Sequence, residues 1–417
     1  MDEIYQNEGA SPADNREALF AVAAGFLGWA LDAFDFFLVV IALPQIAETF
    51  HEKTSTIAFS ITLTLIFRPV GALIFGLLAD RYGRRIPMMV DLLFYSAVEV
   101  ATGFAPNLTS FLILRALFGI GMGGEWGVGT SLVMEKVPAK WRGLLSGFLQ
   151  EGYAFGYLLA AVAAFFMLGR FGWRPMFFLG GAPALLTLFI RFAVKESDVW
   201  QKTKAESWSH LIRSIASHWK LWVYLTFLMA MMNFSSHGTQ DVFPTFMKEY
   251  RGLDPQIYSQ VVIVMMCGAI LGGVAFGLAS DRYGRRKMMI VALLGALAVV
   301  PLWALSSSLA WITVGAFLMQ FLVQGAWGII PAHISEQSPD AIRGSMPGFA
   351  YQCGNLFASY IVQVEVALAG HWDYSYVMAL SAGVIFILAI LVTAAGKESR
   401  GIRFGEQREQ LGHSPGC

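Results

Sequence analysis

Cysteine is scarce in this chain: three residues in 417, Cys267, Cys353 and Cys417. The first two fall in apolar stretches, so neither a disulfide framework nor a metal site is implied. Charge is scarce too. Asp, Glu, Lys and Arg make up 14% of the residues against 56% hydrophobic, far too little charge to cover a water-soluble surface. The 29 basic and 29 acidic residues cancel, and a formal net charge of zero gives no reason to expect a nucleic-acid partner. The first eighteen residues are polar and acidic and lack the basic start of a cleavable signal peptide, so the first apolar segment is expected to stay in the mature protein.

Apolar residues are what the chain has in plenty. With 42 Gly and 33 Phe, the balance is that of a polytopic helical membrane protein, which overrides a length prior of two or three soluble domains. Twelve spans are expected, at roughly 19–44, 55–79, 87–105, 108–134, 144–169, 174–193, 218–247, 256–280, 288–306, 309–336, 345–369 and 373–395. Several are long enough to need a tilt or a break. Gly119-Ile-Gly121-Met-Gly123-Gly124 suits close helix packing rather than strands.

Orientation follows from Lys and Arg. With both termini inside, only Lys53, Arg170, Arg174, Lys248 and Arg251 lie outside and Arg68 and Arg115 fall within spans, leaving 22 of the 29 basic residues on the cytoplasmic side. The expected organisation is a cytoplasmic tail (1–18), a six-helix bundle (19–194), a cytoplasmic linker (195–217) that is polar and Trp-containing, a second six-helix bundle (218–396) and a short tail (397–417).

The two halves are repeats. Gly76-Leu-Leu-Ala-Asp80-Arg81-Tyr-Gly83-Arg84-Arg85 returns as Gly277-Leu-Ala-Ser-Asp281-Arg282-Tyr-Gly284-Arg285-Arg286, a displacement of 201 residues. In the same register Glu135-Lys-Val-Pro138-Ala-Lys-Trp-Arg142-Gly143 returns as Glu336-Gln-Ser-Pro339-Asp-Ala-Ile-Arg343-Gly344, and Trp126-Gly127 returns as Trp327-Gly328. Two six-helix halves in parallel place a central site between them.

The seventh span carries Asn233-Phe-Ser-Ser-His237-Gly-Thr-Gln240-Asp241-Val-Phe-Pro-Thr245 directly after an apolar run. Ionisable groups at that depth are costly and usually face a bundle interior or a water-filled cavity. His237 and Asp241, four apart, share a helix face, and an imidazole beside a carboxylate can hold a proton because each tunes the other. The alternative is a polar pair that only fixes helix packing. The repeat register sets Asp32 against Asn233 and Asp35 against Ser236, so Asp32-Ala-Phe-Asp35 and the His237–Asp241 pair are expected to line one cavity.

The doubled Gly-x-Leu-Ala-Asp-Arg-x-Gly-Arg-Arg loop resembles the signature loop of the major facilitator superfamily, and the resemblance covers essentially the whole chain. The seventh-span stretch resembles Asn-x-x-Ser/Thr-His-x-x-Gln-Asp-x-x-x-Thr, the motif of fungal lactate and pyruvate permeases in the sialate:proton symporter family; Asn233, Ser236, His237, Gln240, Asp241 and Thr245 all match. Phe67-Arg68-Pro-Val-Gly71-Ala and Gln352-Cys-Gly-Asn355 are similar to the same group. The resemblance implies an all-helical carrier that imports a monocarboxylate with a proton by alternating access, without metal or cofactor and functional as a monomer; the compact loops and short tails suggest the cell inner (plasma) membrane.

Roles follow from charge. Arg68 offers a bidentate fork for a substrate carboxylate, the alternative being an ion pair with Asp32 or Asp35 that holds helices together. Asn233, His237, Gln240, Gln352 and Asn355 are expected to bond the substrate, and Asp32, Asp35, His237, Asp241 and Glu125 to hold the coupling proton. Arg115 is expected to pair with an acid such as Glu99, Glu125 or Glu151, of which Glu125 and Glu151 are alternatively proton relays. His333 reads as a helix-end contact, and the sequon at Asn107 sits in too short a loop to carry weight. Asp80 with Arg84, Asp281 with Arg285, Glu135 with Arg142 and Glu336 with Arg343 form a cytoplasmic cluster that can pair in one state and part in the other, a latch between bundles.

Phe34, Phe36, Trp126, Tyr153 and Phe155 would narrow the cavity around a small acid. A larger acid such as sialate, another organic anion, or a non-transporting receptor are the remaining readings; a receptor would be expected to carry a substantial soluble extension. No catalytic constellation supports an enzyme.

Overall fold

The computed structural model describes residues 12–405, except 242, 362–363, 366–367 and 369–371. Among these residues the regular elements are helices. The first half comprises α1 (Pro12–Phe50), α2 (Thr54–Tyr82), α3 (Arg85–Gly103), α4 (Leu108–Lys136), α5 (Arg142–Gln150), α6 (Gly152–Phe171), α7 (Arg174–Leu179) and α8 (Pro183–Ala193). Two short helices, α9 (Asp198–Thr203) and α10 (Trp208–Ser217), form the linker. The second half holds α11 (Trp219–Gln240), α12 (Phe243–Thr245), α13 (Pro255–Tyr283), α14 (Arg285–Val300), α15 (Leu309–Gln337), α16 (Met346–Ala358) and α17 (Tyr374–Ala395).

Nine helical segments among the described residues are long and apolar enough to cross a membrane. The other three expected spans are shorter or broken. The sixth is interrupted at Gly180-Gly181 between α7 and α8. The seventh, α11, carries the polar stretch and passes through α12 into a wide helical turn at Phe246–Tyr250. The eleventh, α16, is helical over 13 residues, and parts of the stretch beyond it lie outside the described residues. The fifth span also breaks, at Glu151 between α5 and α6. Large apolar side chains such as Phe165, Phe192 and Ile263 point outward, as a lipid-facing surface requires.

Within the first half α2 packs on α4 and α1 on α6; within the second, α13 packs on α15 and α11 on α16. The halves meet where α5 lies against α13 and α15, and where α16 lies against α2 and α4. Glycine makes the second contact possible: a Cβ added at Gly127 would sit 2.7 Å from the Cα of Gly348.

The repeated loops share one backbone device. Gly83 and Gly284 adopt φ of 104° and 106°, the left-handed region that glycine enters without strain. That turn exposes the first amides of α3 and α14 to a glutamate. Glu196 accepts from the amides of Arg84 (2.9 Å) and Arg85 (3.1 Å), and Glu398 from those of Arg285 (2.8 Å) and Arg286 (3.2 Å). A carboxylate at a helix N-terminus satisfies free amides and complements the dipole. The sequence signal is a repeat that the 201-residue register passes over: Lys195-Glu196-Ser197 returns as Lys397-Glu398-Ser399, one residue out of step.

Candidate functional site

His237 and Asp241 are brought together as their spacing requires. Nδ1 of His237 lies 2.8 Å from Oδ2 of Asp241, and Nε2 lies 3.1 Å from Oδ1 of Asn355 on α16. With Asn355 in this orientation both ring nitrogens face acceptors, which a doubly protonated imidazolium satisfies; a neutral ring keeps both contacts only if the Asn355 amide turns over. His237 and Asp241 leave 32% and 44% of their side-chain surface open, so the cavity between the halves is open away from the linker.

The rest of the motif bonds within the second half, to α11 and α15. Asn233 donates from Nδ2 to the carbonyl of Met229 (2.8 Å) and is buried, so its amide NH₂ is turned into its own helix rather than into the cavity. Ser236 and Gln240 accept from Nε2 of Gln324 on α15, at 3.0 and 3.3 Å. Gln320, one turn away on α15, donates to Thr239 (3.1 Å). Gln320 and Gln324 were not anticipated; two amides four apart inside an apolar span are the signal that marks them. The side chain of Thr245 lies outside the described residues.

Arg68 is buried on α2, and among the described residues it makes no ion pair with Asp32 or Asp35. Its Nε and Nη2 have no hydrogen-bond partner, and its guanidinium carbon lies 5.9 Å from the Tyr351 ring centroid. Buried unpaired polar groups cost free energy, and a buried cation costs most, unless a ligand completes the site. Gln352, on α16 beside Tyr351, is likewise buried with both amide atoms unpartnered.

Tyr351 is where the repeat pays out in packing. The equivalent residues Trp126 and Trp327 both lie against it, at 4.4 and 5.7 Å between centroids, and Trp29 of α1 lies at 6.2 Å. Tyr153 stacks on Trp29 at 5.3 Å. Aromatic rings from both halves thus form the floor below Arg68. Phe34 and Phe155 are turned elsewhere, one into the first-half core and the other half-exposed; Phe36 packs edge-on to Phe37.

Asp32 and Asp35 depart from expectation. Both are fully buried inside the first half, with neither carboxylate oxygen bonded, so they do not line the open cavity with His237. The register is sound, since Asn233 is buried in the same way in its own half. The His237–Asp241 pair reaches the cavity because it sits one to two turns nearer the open end. Glu125 is also buried with both oxygens unbonded. Arg115 pairs with Glu99, and its Nη2 also donates to Thr102 at 2.8 Å, which settles its partner among the three acids considered. Glu151, at the break between α5 and α6, abuts the position of Gly273 in the other half.

The charged cluster lies at the linker end and joins the two halves, as a latch between bundles requires. Glu135 does not meet Arg142, nor Glu336 Arg343. The pairs cross between halves: Arg142 to Glu336 at 3.0 Å and Arg343 to Glu135 at 3.5 Å. Arg84 holds Asp80 (2.7 Å) and Glu135 (2.8 Å), and Arg285 holds Asp281 (2.6 Å) and Glu336 (3.1 Å). Burial opposes the charge on Arg84, but Glu135 and Asp80 outweigh it and raise its pKa above the usual arginine value. The aspartates also cross: Asp80 accepts from the amides of Gly344 (2.6 Å) and Ser345 (3.0 Å), and Asp281 from those of Gly143 (2.8 Å) and Leu144 (2.9 Å). The linker end is therefore shut. His333, buried beside this cluster, contacts Ser399 at 2.8 Å, as its helix-end position suggested.

Two pseudo-symmetric helical halves, shut by charges at one end and enclosing a polar cavity open at the other, define a membrane transporter rather than an enzyme. The chain belongs to the Major Facilitator Superfamily, whose description matches residues 25–356 and again 238–411. It is similar to a carboxylic acid transporter protein homolog of Saccharomyces cerevisiae, with 29% identity over 414 residues that cover 90% of this chain and 67% of the relative. A probable 4-methylmuconolactone transporter of Cupriavidus pinatubonensis is 29% identical over 401 residues, covering 94% and 93%. The fold is that of the proton:xylose symporter XylE, with a TM-score of 0.76 at 19% identity over 95% of this chain and 99% of that one.

Proposed function

We propose that the protein is a proton-coupled symporter that imports a short-chain monocarboxylate, such as L-lactate or pyruvate, by alternating access. One observation carries the reading: a buried arginine with two unpartnered guanidinium nitrogens near a half-open histidine–aspartate pair. A carboxylate entering from the open end meets Arg68, whose two unpartnered nitrogens match a bidentate acceptor. Gln352 supplies neutral hydrogen bonds beside it. Asn355 reaches the substrate when His237 releases it, and Gln240 lies within the same wall.

The proton settles the electrical cost. An anion entering against a negative interior is opposed by about 2.3 kcal/mol per 100 mV, and a companion proton cancels that. In this reading His237 and Asp241 take the proton from the open side, and Asp32, Asp35 and Glu125 hold it in the first half. The latch of Asp80, Arg84, Glu135, Arg142 and their equivalents Asp281, Arg285, Glu336, Arg343 then parts as the halves rock. The linker end faces the cytoplasm, with both tails and the linker between two six-helix domains on that side, in a cell inner membrane and as a monomer. The names of the two curated relatives, one for carboxylic acids and one for a methylmuconolactone, support an organic acid as cargo.

The test is uptake of radiolabelled L-lactate into proteoliposomes with an inward proton gradient and with that gradient collapsed. Accumulation that needs the gradient, and is competed by pyruvate but not by sialate, is the expected result. Transport of sialate or another larger acid in place of lactate would keep the carrier and overturn the short-chain reading.

A further inference from the structure

The first half buries more acid than substrate binding uses. Asp32 on α1, Glu125 on α4 and Asp91 on α3 are each at most 1% exposed, and none of their six carboxylate oxygens has a hydrogen-bond partner. Asp91 has had no role so far. It begins a stripe on α3, Asp91–Tyr95–Glu99, whose spacing of four puts the three side chains on one face. Glycines let that stripe close on its neighbours. A Cβ at Gly124 would lie 2.7 Å from Oδ2 of Asp91, and one at Gly28 would overlap Oε1 of Glu125. The Glu125 carboxyl therefore rests on α1 one turn before Asp32, and the Asp91 carboxyl rests on α4 beside Glu125.

These groups descend through the half. Asp91 lies six residues from Arg85, about 9 Å from the linker-side start of α3, whereas Asp32 lies in the middle of the longest helix. Tyr95, one turn from both Asp91 and Glu99, is an independent sign that the stripe is not a dry packing surface: its hydroxyl is fully buried and unpartnered. Asp91 faces Glu125 from α4, Asp32 from α1, and Tyr95 and Glu99 on its own helix; Leu186 and Ile190 of α8 and Val194 just after it pack into the same core. The nearest cations serve other members, Arg115 pairing with Glu99 and Arg68 acting on Asp32. Met88, one turn toward the linker from Asp91, packs its methyl by Gly28 and Gly129 and closes the lower end.

We propose that Asp32, Glu125 and Asp91 form a proton-release path through the interior of the first half, separate from the substrate cavity and leading to the linker side. Each transfer moves one proton from a carboxylic acid to a neighbouring carboxylate, so the number of charges in the path is unchanged until Asp91 releases the proton. Opening of the latch and displacement of the flexible Met88 side chain expose Asp91. The path rests on the symport reading, and it assigns Asp91 as the exit residue.

The decisive comparison is Asp91→Asn against wild type in proteoliposomes containing a trapped pH dye. Net gradient-driven uptake and the accompanying internal acidification should fall at least tenfold more than counterflow exchange, which needs no net proton release. Asp91→Glu should restore much of the loss. Equal losses in net uptake and counterflow, or wild-type acidification in Asp91→Asn, would overturn the path. A second measurement needs no cargo. In pH-step infrared difference spectra of the purified protein, Asp91→Asn should remove a carboxylic-acid carbonyl band and shift the band removed by Glu125→Gln. Unchanged spectra would overturn the path, while intact bands with no acidification by any acid tested would instead overturn the symport reading.

Discussion

Arg142 and Glu336 are 194 positions apart in sequence and belong to opposite halves, yet their side chains meet at 3.0 Å in a buried contact at the linker end. Glu336 also receives Arg285 and the hydroxyl of Ser399 (3.1 Å each), so one carboxylate joins both bundles and the segment after the last helix. Removing one partner of a buried pair leaves an uncompensated charge and typically costs about 3–5 kcal/mol. Glu336→Gln should therefore favour the state in which the linker end is open. Ser146 lies buried at the same interface, accepting from the amide of Ala332 at 3.0 Å. With the native cysteines replaced, Ser146→Cys should be alkylated from the linker side more than tenfold faster in Glu336→Gln than alone. Equal rates would show that the pair does not hold the end shut.

The segment beyond α17 adds a clasp. Phe404 lies between the guanidinium groups of Arg142 (3.9 Å) and Arg343 (3.8 Å), one from each half, and Arg142 donates to the carbonyl of Ile402 at 3.0 Å. Cation–π contacts of this kind contribute about 0.5–2 kcal/mol each. Phe404→Ala should raise the same alkylation rate several-fold, less than Glu336→Gln does, with little loss of folded protein in a thermal melt. An unchanged rate would mean that the ring merely rests on the latch.

Arg68 is the residue whose charge and shape both count. Arg68→Lys keeps the charge and loses the planar fork, so it should raise KM for the transported acid about tenfold to a hundredfold, the range expected for a lost charge-assisted bond. Arg68→Ala should abolish saturable uptake. Uptake by Arg68→Lys with the wild-type KM would remove the bidentate contact from the mechanism.

His237 stands between Asp241 and Asn355, so its loss frees both. His237→Ala should reduce gradient-driven accumulation by more than tenfold, measured as the ratio of uptake with the gradient to uptake after its collapse. Unimpaired accumulation would exclude His237 from proton coupling.

Much of this was legible along the chain because a membrane leaves few choices. Apolar length and glycine content specify helices, since lipid offers no partner for an open backbone. The 201-residue register identifies two halves, and the His237–Asp241 spacing alone puts the pair on one face. Arg115 could be narrowed only to three acids, because which of them it meets depends on how α3 rotates against α4.

What the residues determined alone was therefore local or periodic: the helical class, the repeat, the polar pair and the presence of a charged cluster at one end. What only the tertiary structure decided was which charges meet. The cluster pairs across the halves as well as within them, Arg142 reaching Glu336 and Arg343 reaching Glu135. Asp32 and Asp35 turn into the first half rather than toward His237, and Asp91 joins Glu125 only where Gly28 and Gly124 let three helices close. Helix periodicity states which side chains share a face, but the partner across that face is set by packing between segments far apart in sequence, and a buried charge meets whatever that packing supplies.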